Sequence, residues 1–138
     1  MVQQLKDLIT QSNPAYVVEF EEAHLMNVKA DNYKLGTNFA YIEEYLQGKY
    51  LKENYQNKKS VQFQIYFCKF TELDNTADER EILRNAIESE IVLPFIDNIR
   101  ASGLIDRNAE IPFYHPVPRF DAHEVSVMVQ IDVKKIIC

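Results

Sequence analysis

His123-Glu124-Val125-Ser126-Val127-Met128-Val129-Gln130-Ile131-Asp132-Val133-Lys134-Lys135-Ile136-Ile137 is the stretch that decides the fold. Val125, Val127, Val129, Ile131 and Val133 fall on one phase; Glu124, Ser126, Gln130 and Asp132 fall on the other. Successive side chains of an extended chain point to opposite faces, so a period of two marks a strand with one face in a core and one in water. A matching run, Val61-Gln62-Phe63-Gln64-Ile65-Tyr66-Phe67, lies upstream, and the clearest helical pattern sits between the two. Two strands bracketing a helix set the architecture.

The helical stripe comprises Ile82, Leu83, Ala86, Ile87, Ile91, Phe95 and Ile99. Its period is close to 3.6 residues, and Gly103 offers the left-handed conformation that ends a helix. Thr76 followed by Glu79 predicts the start, because a threonine hydroxyl can accept from a free helix N–H while the carboxylate reaches back to the cap. Pro94 lies inside the stripe; it removes one backbone bond and crowds the carbonyl of Glu90, so a kink is expected there. Val2, Leu5, Leu8 and Ile9 predict a shorter helix that Ser12-Asn13-Pro14 terminates.

Tyr16, Val18 and Phe20 alternate with Val17, Glu19 and Glu21, which predicts a first strand over 15 to 22. The pattern weakens over 23 to 59, a Tyr-rich arm or hairpin with a strand expected at 39 to 45, a turn at Gln47-Gly48-Lys49 and a return through Tyr50 and Leu51. The third strand is expected at 60 to 71. Pro112, Pro116 and Pro118 predict a stiff extended loop into the last strand. The order α-β-β-β-α-β gives an α+β domain spanning 1 to 138, a mainly antiparallel sheet of about four strands with two helices on its apolar face.

Composition narrows the function. At 138 residues one domain can bury roughly two-thirds of its unfolded surface, and 46% hydrophobic with 26% charged residues is ordinary for a globular chain, which excludes the disordered and fibrous classes. Fifteen Lys and Arg against 21 Asp and Glu give 15 − 21 = −6, a charge that repels phosphate backbones and disfavours sequence-independent nucleic-acid binding. Cys68, inside an apolar strand, and Cys138 have no CxxC or Cys/His spacing, which suits a reducing compartment. The first ten residues lack a continuous apolar run and no stretch approaches a span, so neither a signal peptide nor a membrane segment is expected.

Candidate chemistry is sparse. Asp132-Val133-Lys134 matches the acid-x-Lys element of metal-dependent nucleases, and Asp121 could add a second carboxylate for a divalent ion. The same tripeptide arises on the wet face of any alternating strand, and here it lacks a following helix. His24, His115 and His123 could join Glu21, Glu22 or Asp121 around zinc, but none shows HxH, HxxxH or HExxH spacing. Asp74, Asp78, Glu79 and Glu81 complement a helix dipole without calcium-loop spacing. Cys68 has no recognisable base nearby, no GxSxG is present, and three isolated glycines form neither a Walker nor a dinucleotide loop. The expectation is a protein that is not an enzyme, with no cofactor and no metal.

The ordered features resemble a known family. A short N-terminal helix, aromatic-rich strands, Gln62-Phe63-Gln64-Ile65-Tyr66-Phe67, an acidic turn into a long helix, and Arg119-Phe120-Asp121-Ala122-His123 before the Val-rich strand are similar to small virion proteins of tailed bacteriophages, especially those of Bacteroidetes phages. These join head to tail or terminate the tail. The resemblance implies a ring of identical subunits around the DNA channel, located in the virion after assembly in the host cytoplasm. Its partners would be its own copies and other neck, portal or tail proteins, with DNA met only in passage and no membrane. It transfers no catalytic residue.

Ring assembly needs a head-to-tail interface that closes by rotation, and free strand edges can supply part of it. Tyr is enriched where proteins meet. Tyr41, Tyr45, Tyr50 and Tyr55 of the arm, together with Lys134 and Ile136 of the last strand, are the expected subunit contacts; Tyr33 belongs to the same aromatic group. The alternatives are a metal-dependent nuclease using Asp121, Asp132 and Lys134, and a small adaptor or ligand-binding module.

Overall fold

The two alternating stretches pair with each other. Gln56–Phe70 and Glu124–Ile136 run antiparallel from Lys58↔Ile136 to Phe70↔Glu124, and this ribbon is the spine of the sheet. The computed structural model describes residues 1–21, 37–71, 76–116 and 124–136, with the backbone alone for 135 and 136. Within them the strands are β1 (Val17–Glu21), β2 (Asn38–Glu43), β3 (Gln47–Glu53), β4 (Gln56–Phe70), β5 (Phe113–Tyr114) and β6 (Glu124–Ile136). The helices are α1 (Val2–Ser12), α2 (Ala77–Ile87) and α3 (Leu93–Ser102), the last two joined through a π-helical turn, Glu88–Val92, into one interrupted rod.

The α+β class holds, but the sheet differs from the expectation in two ways. It has six strands, ordered β1-β2-β4-β6-β5 with β3 also on β4, and it is mixed because β1 runs parallel to β2. β3 is legible only as a return through Tyr50 and Leu51, and β5 is not legible. β3 is polar, contains Gly48 and shows no alternation; β5 is two residues long and follows a proline. The turn expected at Gln47-Gly48-Lys49 is strand instead, and the chain reverses at Asn54 and Tyr55, both with positive φ (52° and 63°). Two central residues of that hand make the tight primed turn whose twist matches the flanking strands.

β2 and β3 lie end to end along one side of β4. Ile42 pairs with Ile65 and Gln47 with Gln62, so four edge residues, 43–46, face only two on β4. This bulge bends the edge and separates β3 from β2. Gly48 is needed where β3 approaches: a Cβ there would lie 2.0 Å from the Ser60 carbonyl oxygen.

One face of the sheet carries the core. Leu5 and Ile9 of α1, Ile87, Ile91, Val92, Phe95 and Ile99 of the rod, and Phe63, Ile65, Phe67, Val127, Val129 and Ile131 of the sheet are all buried together. Phe67 and Phe95 tilt against each other with ring centroids 5.4 Å apart. Both helices therefore pack on one face, as the apolar stripes imply. The cap forms as well: the Thr76 hydroxyl accepts from the Glu79 N–H at 3.2 Å, while the Glu79 carboxylate meets that hydroxyl rather than a backbone N–H.

The strain at Pro94 is absorbed by the π turn, in which the Leu93 N–H reaches back five residues to the Glu88 carbonyl. Shifting the ladder by one residue places Pro94 in the first turn of α3, where a missing N–H is tolerated.

The opposite face is not uniformly wet. Phe39, Tyr41, Tyr66, Cys68 and Met128 form a second buried cluster there, and Glu124 and Ser126 of β6 are buried on the same face. Only beyond Gln130 does this face of β6 open to solvent, at Asp132 and Lys134. The single wet face expected for the whole strand is thus confined to its last third: at one end the rings of β2 and β4 cluster with Met128 on this face, and at the other β4 carries polar β3.

Candidate functional site

β3, the first half of β4 and the last third of β6 form a three-stranded arm. Along it Gln47, Gln62 and Asp132 stand side by side on the polar face, followed by Lys49, Ser60 and Lys134. These residues, with Gly48, Leu51 and Glu53, line an open groove of about 510 Å³. Glu53 organises it. Its carboxylate accepts from the Lys58 ammonium at 3.1 Å and lies 3.7 Å from that of Lys134. The hydrogen bond from Lys58, then the charge of Lys134, hold this carboxyl below its ordinary value.

Both long edges of the arm lack a strand partner among the described residues. In an antiparallel ladder, alternate residues turn their backbone groups toward the partner and away from it. The Gln130 N–H binds the Pro112 carbonyl at 3.0 Å and so points away from β4; Asp132, Lys134 and Ile136 face outward by the same alternation. On β3 the pairing with β4 turns Gly48, Tyr50 and Lys52 outward.

The tyrosines divide sharply. Tyr55 at the turn is 98% exposed, Tyr50 78% and Tyr45 73%, whereas Tyr41 is fully buried. Tyr41 stacks on Tyr66, with centroids 5.5 Å apart, and donates a hydrogen bond to the buried Glu43 carboxylate. Its assignment as an interface residue is therefore corrected: the ring is buried within the chain's own fold, where β2 turns that phase toward Tyr66 and Cys68. Lys134 is at the surface of the arm. Ile136 is placed by its backbone opposite Lys58, and its side chain and Tyr33 lie outside what is described.

Asp132 and Lys134 do share a face, as an acid-x-Lys element requires, but Gln62 stands beside Asp132 and Glu53 engages Lys134. Asp121, Glu22, His24, His123, Asp74 and Cys138 lie outside the described residues. His115 instead meets Glu88 of the π turn at 3.2 Å and packs on Phe113. Among the described residues no three His, Cys, Asp or Glu side chains stand together to hold a metal ion, and no helix is long and apolar enough to cross a membrane. Cys68 is fully buried, and burial, reinforced by the charge of Glu124, pushes its thiol well above the ordinary value, which suppresses the nucleophilic thiolate.

Sequence reasoning named the hairpin and the last strand as free edges but missed that both flank β4 in one three-stranded arm. The signal available was Asn54-Tyr55 between two polar runs, which a two-residue hairpin can use. No protein-family model matches the chain, and none of the curated proteins compared with it matches.

Proposed function

We propose that this chain is a structural virion protein, a ring-forming subunit at a phage neck, head–tail joint or tail terminus. The observation that carries the reading is the projecting arm, whose two edges lack strand partners among the described residues and which displays Tyr50 and Tyr55. An open edge offers unpaired backbone groups to another chain; here the edges carry Lys49, Lys52, Asp132 and Lys134, charges that a partner strand has to match. Two different edges on opposite sides of one sheet favour a head-to-tail contact, which closes into a ring when the rotation closes. The net charge of −6 suits a channel through which DNA passes without adhering.

Native mass measurement of the purified protein, with negative-stain imaging, tests this. A discrete oligomer with a central hole is the expected result. A monomer or dimer that cleaves DNA with magnesium would overturn it in favour of the nuclease alternative, for which the shared face of Asp132 and Lys134 is the supporting observation. A monomer that binds a small ligand would instead favour the adaptor reading.

A further inference from the structure

We infer that the contact between copies is a parallel strand pairing of β6, over 131–136, with β3 of the next copy, in the register that sets Asp132 against Lys49. This rests on the ring reading and specifies its interface. β3 runs antiparallel to β4, and β4 antiparallel to β6, so β3 and β6 run in the same direction. A head-to-tail step that continues the sheet keeps strand direction, and the new pair is therefore parallel. A two-fold contact of β6 with its own copy would be antiparallel.

The backbone fixes the register to steps of two residues. In a parallel ladder an outward-facing residue bonds the two neighbours of the residue it sits beside. Tyr50 beside Val133 would give its N–H to the Asp132 carbonyl and take the Lys134 N–H on its own carbonyl. Lys49 then lies beside Asp132 and Leu51 beside Lys134, all on the polar face.

The unshifted alternative, with Gly48 at Val133, continues the level found within one copy, where Gly48 and Val133 both pair with Val61. It sets Lys49 against Lys134, a like-charge pair that costs stability. A shift by two more residues sets Leu51 against Asp132 and asks Glu53, already shared by Lys58 and Lys134, to serve a third lysine. The register proposed also sets Lys52 beside Lys135 on the other face, but it alone adds an attractive pair made of two charges that form no ion pair among the described residues. It also displaces each β3 by two residues, about 6.6 Å, along its neighbour, the kind of stagger that strands need to close around an axis. On the other face, Tyr50 comes to lie beside Val133 at the rim of the core, which removes an exposed ring from water.

Carbodiimide coupling of the native protein is the direct test, since it joins an ammonium to a carboxylate in contact. Within a copy β4 lies between Lys49 and Asp132, but Lys134 of β6 reaches Glu53 of β3 over it, so isotopic labels are needed to distinguish a link between copies from one inside a copy. Coupling a mixture of isotopically labelled and unlabelled chains should therefore give a mixed-label Lys49–Asp132 link. Lys49→Glu and Asp132→Lys should each weaken self-association about fivefold per contact, and the double variant should restore it. A ring without this link, indifferent to both single changes, would overturn the interface and leave the ring reading standing. A mixed-label Asp132–Lys134 link in a dimer would identify two-fold β6 pairing and overturn both, as would a monomer at every concentration.

Discussion

Asn13, at the end of α1, donates through its side-chain amide to the carbonyl of Glu90, at 3.5 Å. In a regular α-helix that carbonyl would accept from residue 94, where proline has no N–H to give. The interruption that weakens the rod therefore provides the group that docks α1 on it, assisted by the Asn98 amide on Ser12 at 2.9 Å.

Removing the amide should expose this linkage. Asn13→Ala is expected to cost about 1 kcal/mol by chemical denaturation. In a Pro94→Ala background, where a restored N–H can compete for the Glu90 carbonyl, the same change should cost less. Strict additivity of the two changes would refute the coupling.

Tyr41→Phe removes the hydroxyl that donates to the buried Glu43 carboxylate. A loss of roughly 1–3 kcal/mol is expected from urea unfolding. The ring and its stacking on Tyr66 are retained, so the quaternary state should be unchanged.

Tyr55 occupies a positive φ that L side chains adopt at a cost, yet its ring is exposed. Tyr55→Gly should stabilise the isolated subunit by about 1 kcal/mol, read as a higher thermal midpoint under conditions that keep the chain monomeric. If the ring has a place between copies, the same variant should associate less tightly. Gly48→Ala works in the opposite direction: the added Cβ meets the Ser60 carbonyl, so β3 must separate from β4, and faster amide exchange in both strands is expected.

Stability should fall in alkali. The raised Cys68 thiol, ordinarily near 9.0, and the raised Tyr16 phenol, ordinarily near 10.0, both bind protons more tightly in the folded chain. For Tyr16 burial is the main cause, followed by the charges of Glu90 and Cys68. The folded state therefore holds more protons than the unfolded one above those ordinary values, which makes stability decrease as pH rises. Their contribution is complete below about pH 9 and is progressively lost above it. Denaturation midpoints measured between about pH 8 and about pH 10.5 should decline, and the decline should be shallower in a Cys68→Ala, Tyr16→Phe variant.

The sequence by itself determined the elements whose burial is periodic. The alternation in Val125 to Val133 and in Val61 to Phe67, the stripe from Ile82 to Ile99 and the Thr76 cap each encode a local geometry, so β4, β6, both helices and the α+β class were legible. Tertiary structure alone decided what lies beside each strand. Ser126 reads as polar and Tyr41 as a surface tyrosine, yet both are buried on the face where β2, β4 and β6 bring Phe39, Tyr66, Cys68 and Met128 together. Polar β3 carries no alternation, since most of its residues face water on both sides of a projecting arm. Periodicity reports how many faces of a segment are covered; the partner that covers them, and the edge left open, are set by contacts between residues distant in the chain.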